Sequence, residues 1–202
     1  MNRRPDAPAT ARNKDAILEV LLFEFRGRKA VFEIGSGTGQ HAVHFAAAMP
    51  WLAWHTSDLP QNHDAIRAWL EWSELPNVST PIAFDVSCMP PVDTRFDAVF
   101  SANTAHIMSI DEVRKMFVLV AAMLVPSGLF CLYGPFNENG RFTSESNAVF
   151  DASLRAQKPT MGIRDRGELR QIAKTANLTE VRRYAMPANN QILVWEKGAT
   201  AD

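Results

Sequence analysis

Ala30-Val31-Phe32-Glu33-Ile34-Gly35-Ser36-Gly37-Thr38-Gly39-Gln40-His41 is an apolar run that ends in three glycines at alternate positions. Val31 to Ile34 suits a short buried strand and Gln40 to Met49 suits a helix, so the glycines fall at a strand-to-helix turn. Glycine there adopts backbone angles closed to other residues and, lacking a side chain, lets a ligand approach the main chain. The N–H groups of the loop and helix start are expected to face that ligand.

Working outward, Met1 to Asn13 reads as an irregular arm, with 1–14 placed over the cofactor site, and Asp15 to Phe25 has helical spacing at Ile17, Leu18, Leu21 and Leu22. Beyond the loop, strands are expected at Trp51 to Asp58, Thr80 to Val86, Phe96 to Asn103, Leu129 to Phe136, Glu180 to Met186 and Gln191 to Glu196. Pro81 suits only the start of the second of these, or an edge strand. Helices are expected at Asn62 to Glu74, Ile110 to Leu124, Ser146 to Ala156 and Glu168 to Ala176, and Pro187-Ala188-Asn189-Asn190 joins the last two strands as a hairpin. This alternation predicts a Rossmann-like, doubly wound α/β fold: a mostly parallel seven-stranded sheet with a C-terminal antiparallel hairpin. Ligands in such sheets bind at the carboxyl ends of the strands.

The chain has 202 residues, 47% hydrophobic and 21% charged, which fits one globular domain over 1–202 with a substantial core. Its 21 Lys plus Arg against 22 Asp plus Glu create no field for polyanions, so neither nucleic acid nor a membrane is the expected partner. Two cysteines, Cys88 and Cys131, are too few for a disulfide framework, and a reducing cytoplasm is expected. Glu19 and Glu24 interrupt the first apolar segment, which therefore does not read as a signal peptide.

A nicotinamide-binding loop reads Gly-x-Gly-x-x-Gly, whereas here Gln40 occupies the last required position. The Gly35-x-Gly37-x-Gly39 register favours S-adenosylmethionine. Asp58, with Leu59 beside it, stands at the end of the second strand, where an acid accepts two hydrogen bonds from a ribose diol; the alternative is a cap for the next helix. Asp85 is placed to accept the adenine amino group while Val86 donates its backbone N–H. Glu33, inside an apolar strand, needs partners, which a water-linked contact to the methionine ammonium would supply. Asn13 and Asn103 complete the cofactor candidates.

Further segments carry a resemblance: Glu33 to His41, Ser101-Ala102-Asn103-Thr104-Ala105-His106, Leu132-Tyr133-Gly134-Pro135-Phe136-Asn137 and Phe142-Thr143-Ser144-Glu145-Ser146-Asn147. Together with Ala11-Arg12-Asn13-Lys14, Met161-Gly162-Ile163-Arg164-Asp165 and Pro187-Ala188-Asn189-Asn190-Gln191 they are similar to the methyltransferase-like protein 26 family. The resemblance covers nearly the whole chain and implies the class I methyltransferase fold, with S-adenosylmethionine as cofactor and S-adenosylhomocysteine as product. One departure is Arg166-Gly167, where a less flexible link into the helix is expected.

The donor methyl sits on a sulfonium, so the protein mainly has to align a small polar acceptor, and only an acceptor that sheds a proton needs a base. His106, after the fourth strand, is the candidate base, with Tyr133 as a second catalytic candidate and a structural hydrogen bond as the plainer role for the histidine. Asn137, Asn147, Arg164 and Asn189 are the candidate substrate-binding residues. No metal is expected: His41 and His44 form a His-x-x-His pair without a cysteine cluster or an evident third ligand nearby. The Asn-Pro-Pro-Tyr type of motif used for base amino methylation is absent after the fourth strand. The competing readings are a nicotinamide-dependent oxidoreductase on a related sheet and a cofactor-binding regulator without catalysis.

Overall fold

The computed structural model describes residues 4–88 and 94–199. Met1 to Arg3 of the expected arm lie outside the described residues. The first correction follows directly: helix α1 spans Pro8–Glu24, so only residues 4–7 of the arm are non-helical. Proline is compatible with a first helical turn because the N–H it lacks would have no intrahelical partner there.

The chain continues through β1 (Ala30–Ile34), α2 (Gln40–Ala48), β2 (Ala53–Asp58), α3 (His63–Ser73) and β3 (Val78–Ala83). Next come β4 (Phe96–Ala102), α4 (Ile110–Met123), β5 (Leu124–Gly134), a short β6 (Phe136–Asn137), α5 (Glu145–Gln157) and a short β7 (Arg164–Asp165). Helix α6 (Arg166–Thr175), β8 (Leu178–Met186) and β9 (Asn190–Lys197) complete it. The main sheet has seven strands in the order β3-β2-β1-β4-β5-β9-β8, with β9 antiparallel to both of its neighbours. The expected α/β architecture is therefore present, including the C-terminal antiparallel pair.

Alternate residues of the parallel strands feed two cores, as the pleat requires. Phe32, Val99 and Phe130 pack with Phe117 of α4 and Leu169 of α6 on one face. Val31, Ala98 and Cys131 pack with Leu21 of α1 and Phe45 of α2 on the other. Trp54 and Phe100 on that second face are wholly buried, each worth roughly 1.5–3 kcal/mol.

Three boundaries differ from expectation for local reasons. Strand β3 stops at Ala83, which leaves Phe84-Asp85-Val86 in the following loop, and Pro81 is accommodated because β3 is an edge strand. Strand β5 starts at Leu124 and passes through Ser127 in a left-handed conformation (φ 59°), so Pro126-Ser127-Gly128 kinks the strand as well as ending α4. The pair β6 and β7 is two residues long on each side and leaves no periodicity to read. The Arg166-Gly167 departure also has a physical reason. Asp165 caps α6 by accepting the Gly167 N–H at 2.8 Å, and a Cβ at Gly167 would lie only 3.0 Å from that same carboxylate oxygen.

Candidate active site

The strand order reverses between β1 and β4, and the crevice beyond their carboxyl ends is where such sheets bind ligands. Ser101 stitches the two strand ends together: its hydroxyl donates to the Ile34 carbonyl at 2.8 Å and shares a 2.7 Å bond with the Thr104 hydroxyl. Gly35 lies against this seam. A Cβ there would stand 2.7 Å from Thr104 Cγ2, and its φ of +74° is left-handed, so both space and backbone angle demand glycine. Gly39 meets the backbone of Ile66 in the same way, at 3.1 Å, and serves helix packing; it does not line the crevice.

Four of the five loop amides between Gly35 and Gly39 are turned to acceptors within the protein. Gly35 and Ser36 both donate to the Ser57 carbonyl, Gly39 donates to Ser36, and the Gly37 N–H donates to Asp58 Oδ2 at 2.7 Å. What the loop leaves open is the space above Gly37, where a Cβ would meet nothing within 4 Å.

Below the loop, Glu33 is buried and its Oε2 accepts from Ser36 Oγ at 2.8 Å and Trp54 Nε1 at 3.0 Å. Burial pushes its carboxyl up to about 7, against the lowering effect of those two donors. Glu33 thus finds protein partners in the loop and β2 and does not line either of the cavities beside the loop.

A cavity of about 400 Å³ opens beside the loop, lined by Gly35, Gly37, Asp58, Leu59, Asp85, Val86 and Asn103 among others. Seven of the expected cofactor residues therefore meet in one place. Asp58 is already engaged: Oδ1 accepts from the Leu59 N–H and Asn62 Nδ2, both at 2.7 Å, and Oδ2 from Gly37. A carboxylate offers about four acceptor sites, so about one remains where a diol was expected to use two. The Asp85 carboxyl is held below its usual range by the hydroxyl and N–H of Ser87. Glu112, Ile107 and Met108 line it as well, none of them marked for a ligand by its local sequence.

A second cavity of about 810 Å³ adjoins the first, and Asn103 lines both. Asn103 turns the corner with φ 60° and donates its N–H to the Tyr133 carbonyl at 2.9 Å. His106, Tyr133 and Asn147, expected at the reacting end, line this second space together with Arg12, Phe150 and Asn190. His106 is buried, its ring edge-on to Phe150 at 5.2 Å. Burial, assisted by the nearby Arg164 charge, pushes its imidazole down to about 4, so the ring is neutral at pH 7. Burial likewise raises the Tyr133 phenol, partly offset by the hydrogen-bonding Asn13 side chain.

Four candidates lie away from the spaces expected of them. Asn13, expected at the cofactor, lies on α1 in the lining of the second cavity, where its Oδ1 bonds His41 Nε2 at 2.8 Å. Arg164, expected to bind substrate, lines neither cavity: its Nε donates to the Ala105 carbonyl at 3.0 Å and its Nη2 to those of Met108 and Thr160. It clamps the loop that carries His106. Asn137 donates to the Ile163 carbonyl at 3.4 Å and stays outside both spaces. Asn189 lines a third, shallow cavity beside Arg183 and Gln191, although its carbonyl accepts from Asn147 Nδ2. His44 faces Asp15 at 3.0 Å while His41 faces Asn13, and no group of three potential metal ligands occurs among the described residues.

Residues 4–7 run across the helix start. Gln40 Oε1 accepts from the Ala7 N–H at 2.6 Å and from Thr38 Oγ1 at 3.0 Å, and Gln40 Nε2 donates to Asp6 at 2.8 Å. Trp69 Nε1 donates to the Pro5 carbonyl at 2.8 Å, and the Arg4 guanidinium stacks 3.7 Å over Trp72. This short strap is fastened to the loop through Gln40, the residue that breaks the nicotinamide pattern.

Solved structures with the same architecture include the S-adenosylmethionine-dependent methyltransferase SibL in its apo form, with TM-score 0.79 and 19% identity over 94% of this chain and 56% of that one. An O-methyltransferase family protein from Burkholderia thailandensis matches with TM-score 0.76 and 15% identity over 95% of this chain and 61% of its own. Human N-acetylserotonin methyltransferase, solved with S-adenosylmethionine, matches with TM-score 0.74 and 14% identity over 92% of this chain and 55% of its own. The chain spans a little over half the length of these proteins, and at such identities the likeness is one of fold. No helix among the described residues is long and apolar enough to cross a membrane. A family model matches residues 4–197, and the chain accordingly belongs to the family described as Protein of unknown function (DUF938).

Proposed function

We propose that this chain is an S-adenosylmethionine-dependent methyltransferase acting on a small polar molecule by direct in-line transfer. The observation that carries the reading is the pair of adjoining cavities that share Asn103: one lined by the glycine loop, Asp58 and Asp85, the other by His106 and Tyr133. The resemblance to the methyltransferase-like protein 26 family and the fold of the solved methyltransferases support it.

The residues present fit that cofactor better than a nicotinamide dinucleotide. A diphosphate draws on several free loop N–H groups, and those of Gly35, Ser36, Gly37 and Gly39 are already bonded within the protein, which leaves that of Thr38 alone between them. It would also enter a cavity lined by Asp58, Asp85 and Glu112, whose negative charges oppose it. A cofactor with no phosphate and a cationic sulfur has neither difficulty. Asp58 would hold a ribose hydroxyl on its remaining acceptor site, Gly37 leaves room for close approach, and Asp85 with the Val86 N–H would read the adenine edge.

When bound, S-adenosylmethionine supplies an electrophilic methyl group. The chain's part is to hold the acceptor in line, which in well-oriented systems is worth roughly 7–11 kcal/mol. His106, uncharged at neutral pH, accepts a proton from an acceptor that must lose one, and its low proton affinity suits it to an acceptor whose own proton is labile. Tyr133 borders the same space, with its phenol protonated.

Calorimetric titration with S-adenosylhomocysteine and, separately, with NADH tests the reading. Saturable binding of the first and none of the second is expected, and no S-adenosylhomocysteine binding at millimolar concentration would overturn it. Transfer of a labelled methyl group to members of a broad metabolite panel separates an enzyme from a regulator that merely binds the cofactor.

A further inference from the structure

The two cavities have opposite charge character. Asp58, Asp85 and Glu112 line the first, whereas the second has no carboxylate in its lining and one permanently charged side chain, Arg12. Arg12 projects from the first turns of α1 and is exposed. The acids nearest in sequence do not pair with it: Asp6 accepts from Gln40 Nε2 at 2.8 Å and Asp15 lies 3.0 Å from His44. The cation at the rim of the second cavity is thus left for whatever enters it. The same lining includes the rings of Phe150, Tyr133, Pro135 and Pro187, together with Asn147 and Asn190.

We infer that the second cavity takes an acceptor bearing a carboxylate on a planar ring, the carboxylate paired with Arg12 and the ring packed against Phe150. The inference rests on the reading of this cavity as the acceptor site. A guanidinium presents parallel N–H donors that match a carboxylate in a bidentate fork, a geometry an ammonium lacks. Adjoining cavities of opposite charge also favour entry of each ligand into its own space, because an anion is repelled by the three acids of the first and drawn to the one cation of the second.

Calorimetry with matched probes tests this: 4-hydroxybenzoate against 4-hydroxybenzamide, each titrated into the full chain with and without S-adenosylhomocysteine. The acid is expected to bind at least tenfold more tightly than the amide. Arg12→Gln is expected to bring the acid down to the level of the amide, with Arg12→Lys in between. Arg12 is exposed and glutamine is a good helix former, so the variant is expected to fold, which its melting temperature checks. Equal affinity for acid and amide, no binding of either, or a preference that survives Arg12→Gln would each overturn the inference. So would a variant that weakens S-adenosylhomocysteine and leaves the preference intact, for then Arg12 serves the cofactor's own carboxylate. If the wild-type chain bound no S-adenosylhomocysteine, the methyl-transfer reading would fall, while the acid-over-amide preference measured without cofactor would still be decided.

Discussion

The Asp58 carboxylate accepts the Gly37 backbone N–H at 2.7 Å, so the acid ending β2 and the middle glycine of the loop form one unit. Its other oxygen accepts from the Leu59 N–H and from Asn62, which leaves Asp58→Asn no comfortable orientation. Whichever way the amide turns, its NH₂ confronts a backbone N–H. Hydrogen bonds to a charged group are worth about 1.5–3 kcal/mol, and Asp58→Asn is expected to lower stability by about that much. Affinity for S-adenosylhomocysteine should fall at least tenfold. Urea denaturation and calorimetry check the two effects; an unchanged denaturation midpoint would show that the unit is not formed.

Gly35 and Thr104 make a separable test of the seam between β1 and β4. Gly35→Ala places a methyl 2.7 Å from Thr104 Cγ2 and also holds alanine at a left-handed φ of +74°. The backbone term is about 1–2 kcal/mol and overpacking adds about 1–3 kcal/mol. Thr104→Ser removes the offending methyl and keeps the hydroxyl that bonds Ser101. The double variant should therefore recover the packing share and not the backbone share. If Thr104→Ser rescued nothing, the glycine would be there for φ alone.

Glu33 gives a pH signature. Its carboxyl is raised from 4.5 to about 7 by burial, so the folded state binds the proton more tightly than the unfolded state. That contribution is fully present below pH 4.5 and is lost as pH rises through about 7. Glu33→Gln cannot ionise, and its carbonyl can still accept from Ser36 and Trp54. Between pH 5.5 and 8.5 the stability of the variant relative to wild type should rise by about 2 kcal/mol. Chemical denaturation at the two pH values measures the difference, and a constant gap would refute it. His41 and His106, both pushed down to about 4, act in the opposite sense: their contribution is present above pH 6.5 and is lost as pH falls through about 4.

What the sequence made legible follows from which interactions are local. Apolar runs at Val31, Ala98 and Leu129 alternate with amphipathic stretches, and that pattern specifies the layers without any knowledge of partners. Asp58, Asp85 and Asn103 were visible because strand ends in such a sheet converge on one crevice. The start of α1 is not legible because Ala7 to Ala11 offers neither side-chain cap nor apolar period; the helix is carried by Ile17 and Leu21 packing further along. The place of Arg164 is not legible, because a buried arginine looks the same in sequence whether it binds substrate or three backbone carbonyls. Phe150 was missed for a like reason: its helix carries Val149 and Phe150 toward the outside, and only the fold brings one of them to His106.

Arg164 offers the sharpest link between scaffold and chemistry. It holds the carbonyls of Ala105, Met108 and Thr160, and so acts on His106 by position, while its charge adds to burial in disfavouring the imidazolium. Arg164→Met removes both effects and leaves three carbonyls without that donor, at a cost of about 1–3 kcal/mol for each one that stays buried and unpaired. A purely structural role predicts lower stability with the His106 titration unmoved. A positioning role with an electrostatic component predicts in addition that the His106 pKa climbs from about 4 toward 6.5, stopping short because burial is the larger cause and persists. NMR titration of the His106 ring, assigned with His106→Gln, reads this directly. Arg164→Lys, which keeps the charge and loses the guanidinium fork, should stay near the wild-type value while being destabilised. If the methionine and lysine variants titrate alike, charge at position 164 does not tune the base and the residue is a clamp alone.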